Sequence, residues 1–257
     1  MIYVAFFLFT FLILIGVFYQ WQYFMIFSPT YIKERRLCDK CELLSIKTDD
    51  GIELEGAVYE PVNAVTTLLV FVGRSHDAVA LMGRLSEVYK NVRVIAFNYR
   101  GYGKSGGVAN EKNILSDSLK IAQLVQKHYG DFYLLGFSLG SNVAAFVAKQ
   151  HSIKVLFLVG AFDSVTALSQ EKYPKLCCIE KLLRYKFPTD VYVRNVTAKT
   201  YLFVSRDDET IPLKNAQKLK ELVKNLVLYS ELEGLSHKEL LWDTKVTNQI
   251  NKVMENE

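Results

Sequence analysis

Gly136-Phe137-Ser138-Leu139-Gly140 stands between the apolar run Phe132-Tyr133-Leu134-Leu135 and an alanine- and valine-rich segment, Ser141 to Lys149. Strand, sharp turn and helix form the setting in which Gly-x-Ser-x-Gly presents a reactive hydroxyl. A side chain at 136 or 140 would collide with the neighbouring strand or helix, and the strained turn between them pushes Ser138 toward a substrate. Leu139 offers its backbone N–H at the start of a helix, where donors are unpaired and the dipole favours negative charge. Ordinary strand-to-helix turns can carry the same glycines, and a serine hydroxyl is a poor nucleophile without a base. The weight of the motif therefore depends on what lies further along the chain.

Four histidines narrow the search for that base. His76 and His128 precede the serine, and His151 ends the helix that the serine begins, so it should point away from the turn. His237 sits in Glu233-Gly234-Leu235-Ser236-His237, a small-residue loop after the strand-like run Asn225 to Leu232, and opens a final helical segment. A base is expected on such a loop. For the acid, the buried-strand pattern Thr200 to Ser205 runs into Arg206-Asp207-Asp208-Glu209-Thr210-Ile211-Pro212. Three consecutive acids there also fit a solvated turn. Asp163, at the end of the run Val155 to Phe162, is the rival acid. Ser138, Asp208 and His237 each lie just beyond a predicted strand, and in a mainly parallel sheet those strand ends share the edge where sites form.

The order serine, acid, histidine is that of the α/β-hydrolases. From about Leu37 to the C-terminus the chain resembles that family, most closely its small membrane-anchored serine hydrolases. Asn98-Tyr99-Arg100-Gly101-Tyr102-Gly103-Lys104-Ser105-Gly106 is similar to the family's D-Y-R-G-Y-G-x-S-x-G segment after the fourth strand. Ser205 to Pro212 resembles G-x-x-D-x-x-V-P, which implies Asp208 as the acid, and Gly234 to His237 resembles the loop that carries the catalytic histidine. One departure stands out. Where the family has His-Gly after the third strand, this chain has Val72-Gly73-Arg74. The resemblance implies that the backbone N–H of Arg74 joins that of Leu139 in an oxyanion hole. The Arg74 side chain is either a determinant for an anionic substrate or a solvated loop arginine.

Gly101-x-Gly103-x-x-Gly106 also matches a dinucleotide fingerprint, and Gly103-Lys104-Ser105 the end of a phosphate loop. A Walker motif requires glycine at position 98, which is Asn98. A nucleotide fold would place its glycine-rich turn after an early strand, with an acid at the end of the next. The glycines are expected instead to form a tight loop near the active-site edge, with no cofactor.

The N-terminus is of a different character. No charged residue occurs from Met1 to Thr30, and Ile2 to Phe18 is almost continuously apolar. About 20 such residues cross a bilayer core. Tyr19, Trp21 and Tyr23 suit an interfacial belt. A cleaved signal peptide would call for an early basic residue and a small-residue cleavage site. The expectation is one transmembrane anchor at 1–27, a juxtamembrane linker at 28–41 and a hydrolase domain at 42–257. Lys33, Arg35, Arg36 and Lys40 follow the span and no basic residue precedes it, which predicts a cytoplasmic domain with these charges near anionic headgroups.

A net charge of +4 with interleaved signs does not suggest nucleic-acid binding. Cys38-x-x-Cys41 with Cys177 and Cys178 is a poor zinc set, because vicinal cysteines make an awkward second half. Reduced thiols fit a cytoplasmic domain, and palmitoylation beside the membrane is a further option.

Glu42 to Lys47 and Ile52 to Tyr59 alternate around Asp49-Asp50-Gly51 and predict an antiparallel hairpin. Strands then recur at Thr67, Val92, Phe132, Lys154, Thr200 and Leu226, separated by helical patterns. The predicted class is α/β, a mostly parallel sheet with helices on both faces. The interval 163–199 is expected to form a small cap over the site. The resulting functional expectation is a serine hydrolase acting on carboxylic esters or thioesters of acyl or lipid-like substrates. Its alternatives are an amidase or peptidase with the same triad and a non-catalytic membrane scaffold.

Overall fold

The computed structural model describes residues 2–35, 37–175 and 179–256. Arg36, Cys177 and Cys178, which entered the charge and thiol expectations, lie outside the described residues. The elements run α1 (Ile2–Ile26), β1 (Cys41–Lys47), β2 (Glu53–Tyr59), β3 (Thr67–Phe71), α2 (Ala78–Val88), β4 (Arg93–Phe97) and α3 (Glu111–Tyr129). They continue through β5 (Tyr133–Phe137), α4 (Leu139–Gln150), β6 (Val155–Val159), α5 (Val165–Lys172), α6 (Ile179–Leu182) and α7 (Thr189–Val193). β7 (Lys199–Ser205), α8 (Leu213–Leu222), β8 (Leu226–Leu232), α9 (His237–Leu240) and α10 (Thr244–Asn256) complete the chain.

The eight strands form one sheet in the order β1-β2-β4-β3-β5-β6-β7-β8. β1 and β2 form the expected hairpin, and β2 meets β4 antiparallel. Every later pairing is parallel. The central strands explain why. β3, β5 and β6 are buried at every position, so both faces of the sheet are covered, as continuous Val/Ile/Leu/Phe runs require. Parallel neighbours need crossovers, and the intervening helices supply them. Ser138 follows β5, Asp208 follows β7 and His237 follows β8, so all three leave the sheet at its C-terminal edge.

α1 joins this body only through its last turns. Its side chains from Ile2 to Val17 are exposed on all sides, whereas Phe18, Tyr23, Met25 and Ile26 are half-buried and Gln22 is buried. Gln22 donates from Nε2 to the carbonyl of Leu182 at 3.0 Å and accepts at Oε1 from the N–H of Arg184 at 2.8 Å. Phe27 packs edge-on against Tyr185 and Phe187. Residues after the helix are bound to the domain. The N–H of Ile32 donates to Asp77 at 3.1 Å, and the N–H of Gly103 donates to the carbonyl of Thr30 at 2.9 Å. Arg35 is paired with Glu55 at 2.6 Å and Asp77 at 2.8 Å and is almost wholly buried, so it is not free to meet headgroups as the sequence suggested. The thiol expectation is also corrected: Cys38 and Cys41 form a disulfide, their Cα atoms 5.0 Å apart at the start of β1.

Candidate active site

The turn at Ser138 is set by its neighbours. Ser138 has φ 53° and ψ −118°, a conformation costing a non-glycine residue on the order of 1–3 kcal/mol. It is held from both sides. Its N–H donates to the carbonyl of Val159 on β6 at 3.0 Å, and its carbonyl accepts from the N–H and hydroxyl of Ser141 at 2.9 and 2.5 Å. α4 then starts in contact with the end of β3. A Cβ on Gly140 would lie 2.0 Å from the carbonyl oxygen of Phe71, so only glycine fits there. This approach brings the Val72–Arg74 loop beside Leu139, the first residue of α4, whose N–H has no partner within its own helix.

His237 reaches the serine from the far end of the chain. Its Nε2 is 2.8 Å from Ser138 Oγ, and its Nδ1 is 2.6 Å from Asp208 Oδ2. The ring packs on Phe137, with centroids 5.0 Å apart. Gly160 makes room on the other side, since a Cβ there would lie 3.0 Å from His237 Cε1. Asp208 cannot swing freely, because its Oδ1 accepts the N–H groups of Thr210 and Ile211 at 2.8 and 2.7 Å. All three side chains are nearly buried, with Ser138 8 % exposed and His237 6 %.

The acids flanking Asp208, which the sequence left as a solvated turn, grip the same loop. Asp207 Oδ2 accepts the N–H of Gly234 at 2.6 Å, and Glu209 Oε2 accepts the N–H of His237 at 2.9 Å. That second bond holds the Glu209 carboxyl below its ordinary pKa. The three acids thus fix the histidine loop at three atoms, an arrangement spanning about 27 residues that no local pattern encodes. Asp163, the rival acid, is engaged elsewhere. Its partners are the N–H of Ser164, Asn215 Nδ2 and Lys218 Nζ, at 2.8, 3.0 and 3.2 Å.

Arg74 is exposed on its loop and lines the cavity beside Ser138, and it also has a protein partner. Its guanidinium donates to the carbonyl of Met25 at the end of α1, where a cation is favoured. Its own carbonyl accepts the Tyr102 hydroxyl at 2.7 Å and the N–H of Ser28 at 3.2 Å. The glycine-rich segment around Tyr102 is therefore a structural loop. Asn98 explains why it opens without the family's aspartate: Asn98 Nδ2 donates to Glu55 and Asp77, both at 3.1 Å, and Oδ1 accepts the N–H of Ala78 at 2.6 Å. An aspartate could not donate to two carboxylates.

A cavity of about 810 Å³ opens above Ser138. Its walls come from the Gly73–His76 loop, from α5 and the segment after α6, and from the last turns of α1. Partial burial holds the imidazole of His76, at the rim, below its ordinary pKa. Among the described residues, no cluster of histidine, cysteine and acidic side chains is suited to a metal ion.

A family model described as the alpha/beta hydrolase fold matches residues 85–176. The uncharacterized protein YfhR of Salmonella typhi is 28 % identical over 211 residues, covering 72 % of this chain and 70 % of that protein. Human protein ABHD12B is 27 % identical over 152 residues, covering 51 % and 42 %. An esterase from Pyrococcus furiosus superposes with a TM-score of 0.68 at 17 % identity, over 90 % of this chain and 97 % of that one. The esterase domain of a Rhodothermus marinus protein gives a TM-score of 0.61 at 18 % identity, over 83 % and 96 %. Sheet order, matched segment and structural neighbours together show that this chain has the alpha/beta hydrolase fold.

Proposed function

We propose that the protein is a membrane-anchored serine hydrolase that cleaves carboxylic esters or thioesters of acyl substrates through Ser138, His237 and Asp208. The observation that carries this reading is the continuous line of contacts from Ser138 Oγ through the imidazole to Asp208, at 2.8 and 2.6 Å. His237 Nε2 takes the hydroxyl proton as Ser138 Oγ attacks the substrate carbonyl, while Asp208 accepts the Nδ1–H and stabilises the charged ring. The N–H groups of Leu139 and Arg74 hold the oxyanion. His237 then passes its proton to the leaving alcohol or thiol, and the acyl group remains on Ser138. Water, deprotonated by the same nitrogen, releases the acid and restores the serine. Nothing in this sequence of steps requires a cofactor.

Residues 1–27 act as the anchor in this reading, 28–41 as its connection, and 42–257 as the hydrolase with a cap at about 163–199. Retention of α1 is supported by Gln22, since a cleaved leader would not be bonded at both ends of its amide to Leu182 and Arg184. The run of basic residues after the span favours a cytoplasmic domain. The Cys38–Cys41 disulfide favours a second reading, with the domain on an oxidising face. Protease digestion of sealed, right-side-out vesicles decides between them.

Ester turnover by a Ser138→Ala variant tests the chemistry. The proposal expects loss of at least about a thousandfold in kcat with p-nitrophenyl esters. Full retained turnover rules out Ser138 as the nucleophile, whereas a wild type without turnover favours a scaffold that kept the fold. Comparing amide with ester substrates separates a peptidase from an esterase.

A further inference from the structure

We infer that the last two turns of α1 form a wall of the acyl-binding cavity, so that the membrane anchor is also the chain-length determinant of the enzyme. The inference rests on the serine-hydrolase reading above. Phe18, Trp21, Met25 and Ile26 line the same cavity as Ser138 and His237, together with Leu168 of α5. The cavity, about 810 Å³, falls in the size range of ligand clefts and is lined mainly by apolar side chains.

Three contacts fix the helix as a wall. Gln22 bonds the segment after α6 at both ends of its amide. Trp21 meets Tyr173 edge-on with centroids 6.3 Å apart. Arg74 caps the carbonyl of Met25 from the loop that borders the serine.

The placement along the helix selects the substrate class. Ile2 to Trp21 is about 20 residues, or ~30 Å of helix, which matches a bilayer core. With that segment in lipid, Trp21 and Met25 sit at the boundary between chains and headgroups. The cavity mouth then lies where a single long acyl chain passes from the bilayer into the protein without crossing water. The class of substrate is an ester or thioester of a long-chain acid held in the membrane.

The test uses the full chain in phosphatidylcholine vesicles. It compares kcat/KM for p-nitrophenyl palmitate with that for p-nitrophenyl acetate in wild type, Met25→Trp and Met25→Ala. Leu12→Trp, on the exposed part of the helix, serves as control. Met25→Trp narrows the wall and should lower the palmitate-to-acetate ratio at least about tenfold, with Leu12→Trp at the wild-type ratio. Met25→Ala widens the wall and should raise the ratio, which keeps the test decisive if the tryptophan variant does not fold. Labelling by a small fluorophosphonate reports an assembled site in each variant. Unchanged ratios in both Met25 variants, with labelling intact, overturn the inference while leaving the hydrolase reading standing. Wild type that neither turns over esters nor labels defeats the hydrolase reading itself.

Discussion

Asp208 and Asp163 are buried carboxylates on neighbouring strand ends, yet only Asp208 faces His237. Asp208→Asn should lower kcat by about 10³–10⁴, because the amide no longer accepts the Nδ1–H and the imidazole loses its orientation. Asp163→Asn should leave kcat within about threefold and act instead on stability, through Asn215 and Lys218. Steady-state kinetics on the two variants check this, and equal losses would contradict it. Asn98 makes a second residue-scale case. Asn98→Asp would crowd a third carboxylate against Glu55 and Asp77, which already share Arg35, and should cost ~1–3 kcal/mol in a urea unfolding measurement. His76 gives a pH signature. Its folded-state pKa is depressed by burial, so its contribution to stability is complete above the unfolded value of ~6.5 and is lost as pH falls toward the lower native value. The stability difference between wild type and His76→Gln should therefore shift against wild type between pH 7.5 and pH 5.5. A difference that does not change with pH would show that the ring protonates freely in the fold.

At the scale of elements, the strand–turn–helix at Ser138 was legible because its constraints are local. Glycines at 136 and 140, an apolar run before them and alanines after them all lie within one short segment. The same holds for the hairpin and the buried parallel strands, which periodicity and length reveal. Gly140→Ala should be the harshest single change, since its Cβ would meet the Phe71 carbonyl at 2.0 Å, and a loss of at least ~3 kcal/mol in thermal unfolding is expected. What stayed hidden are contacts between elements remote in sequence. The hold of Asp207 and Glu209 on the histidine loop is of this kind, as is the use of Arg74 to cap α1. Tyr102 follows the same logic. Its hydroxyl donates to the Arg74 carbonyl and accepts the N–H of Ser28, fixing the peptide next to the expected oxyanion donor. Tyr102→Phe should reduce kcat roughly tenfold with KM nearly unchanged, the split expected when transition-state support is lost and ground-state binding is kept.

For the whole molecule, α1 and the segment after it are joined to the α/β body at Gln22, Phe27, Ser28 and Arg35. The sequence marked the apolar span by composition alone, but composition could not tell that its last turns belong to the cavity. Gln22 was the available signal, a polar side chain in an otherwise apolar run, and its partners lie about 160 residues away. The disulfide was likewise open to sequence only as a spacing. In the proposed mechanism Ser138 is the group that attacks a carbonyl. The most direct test of that role is to treat the full-length protein with a fluorophosphonate and locate the adduct by mass spectrometry. One stoichiometric adduct on Ser138 is expected, with parallel loss of ester turnover. An intact Ser138 after prolonged exposure of the folded protein, or turnover that survives its modification, would contradict that role.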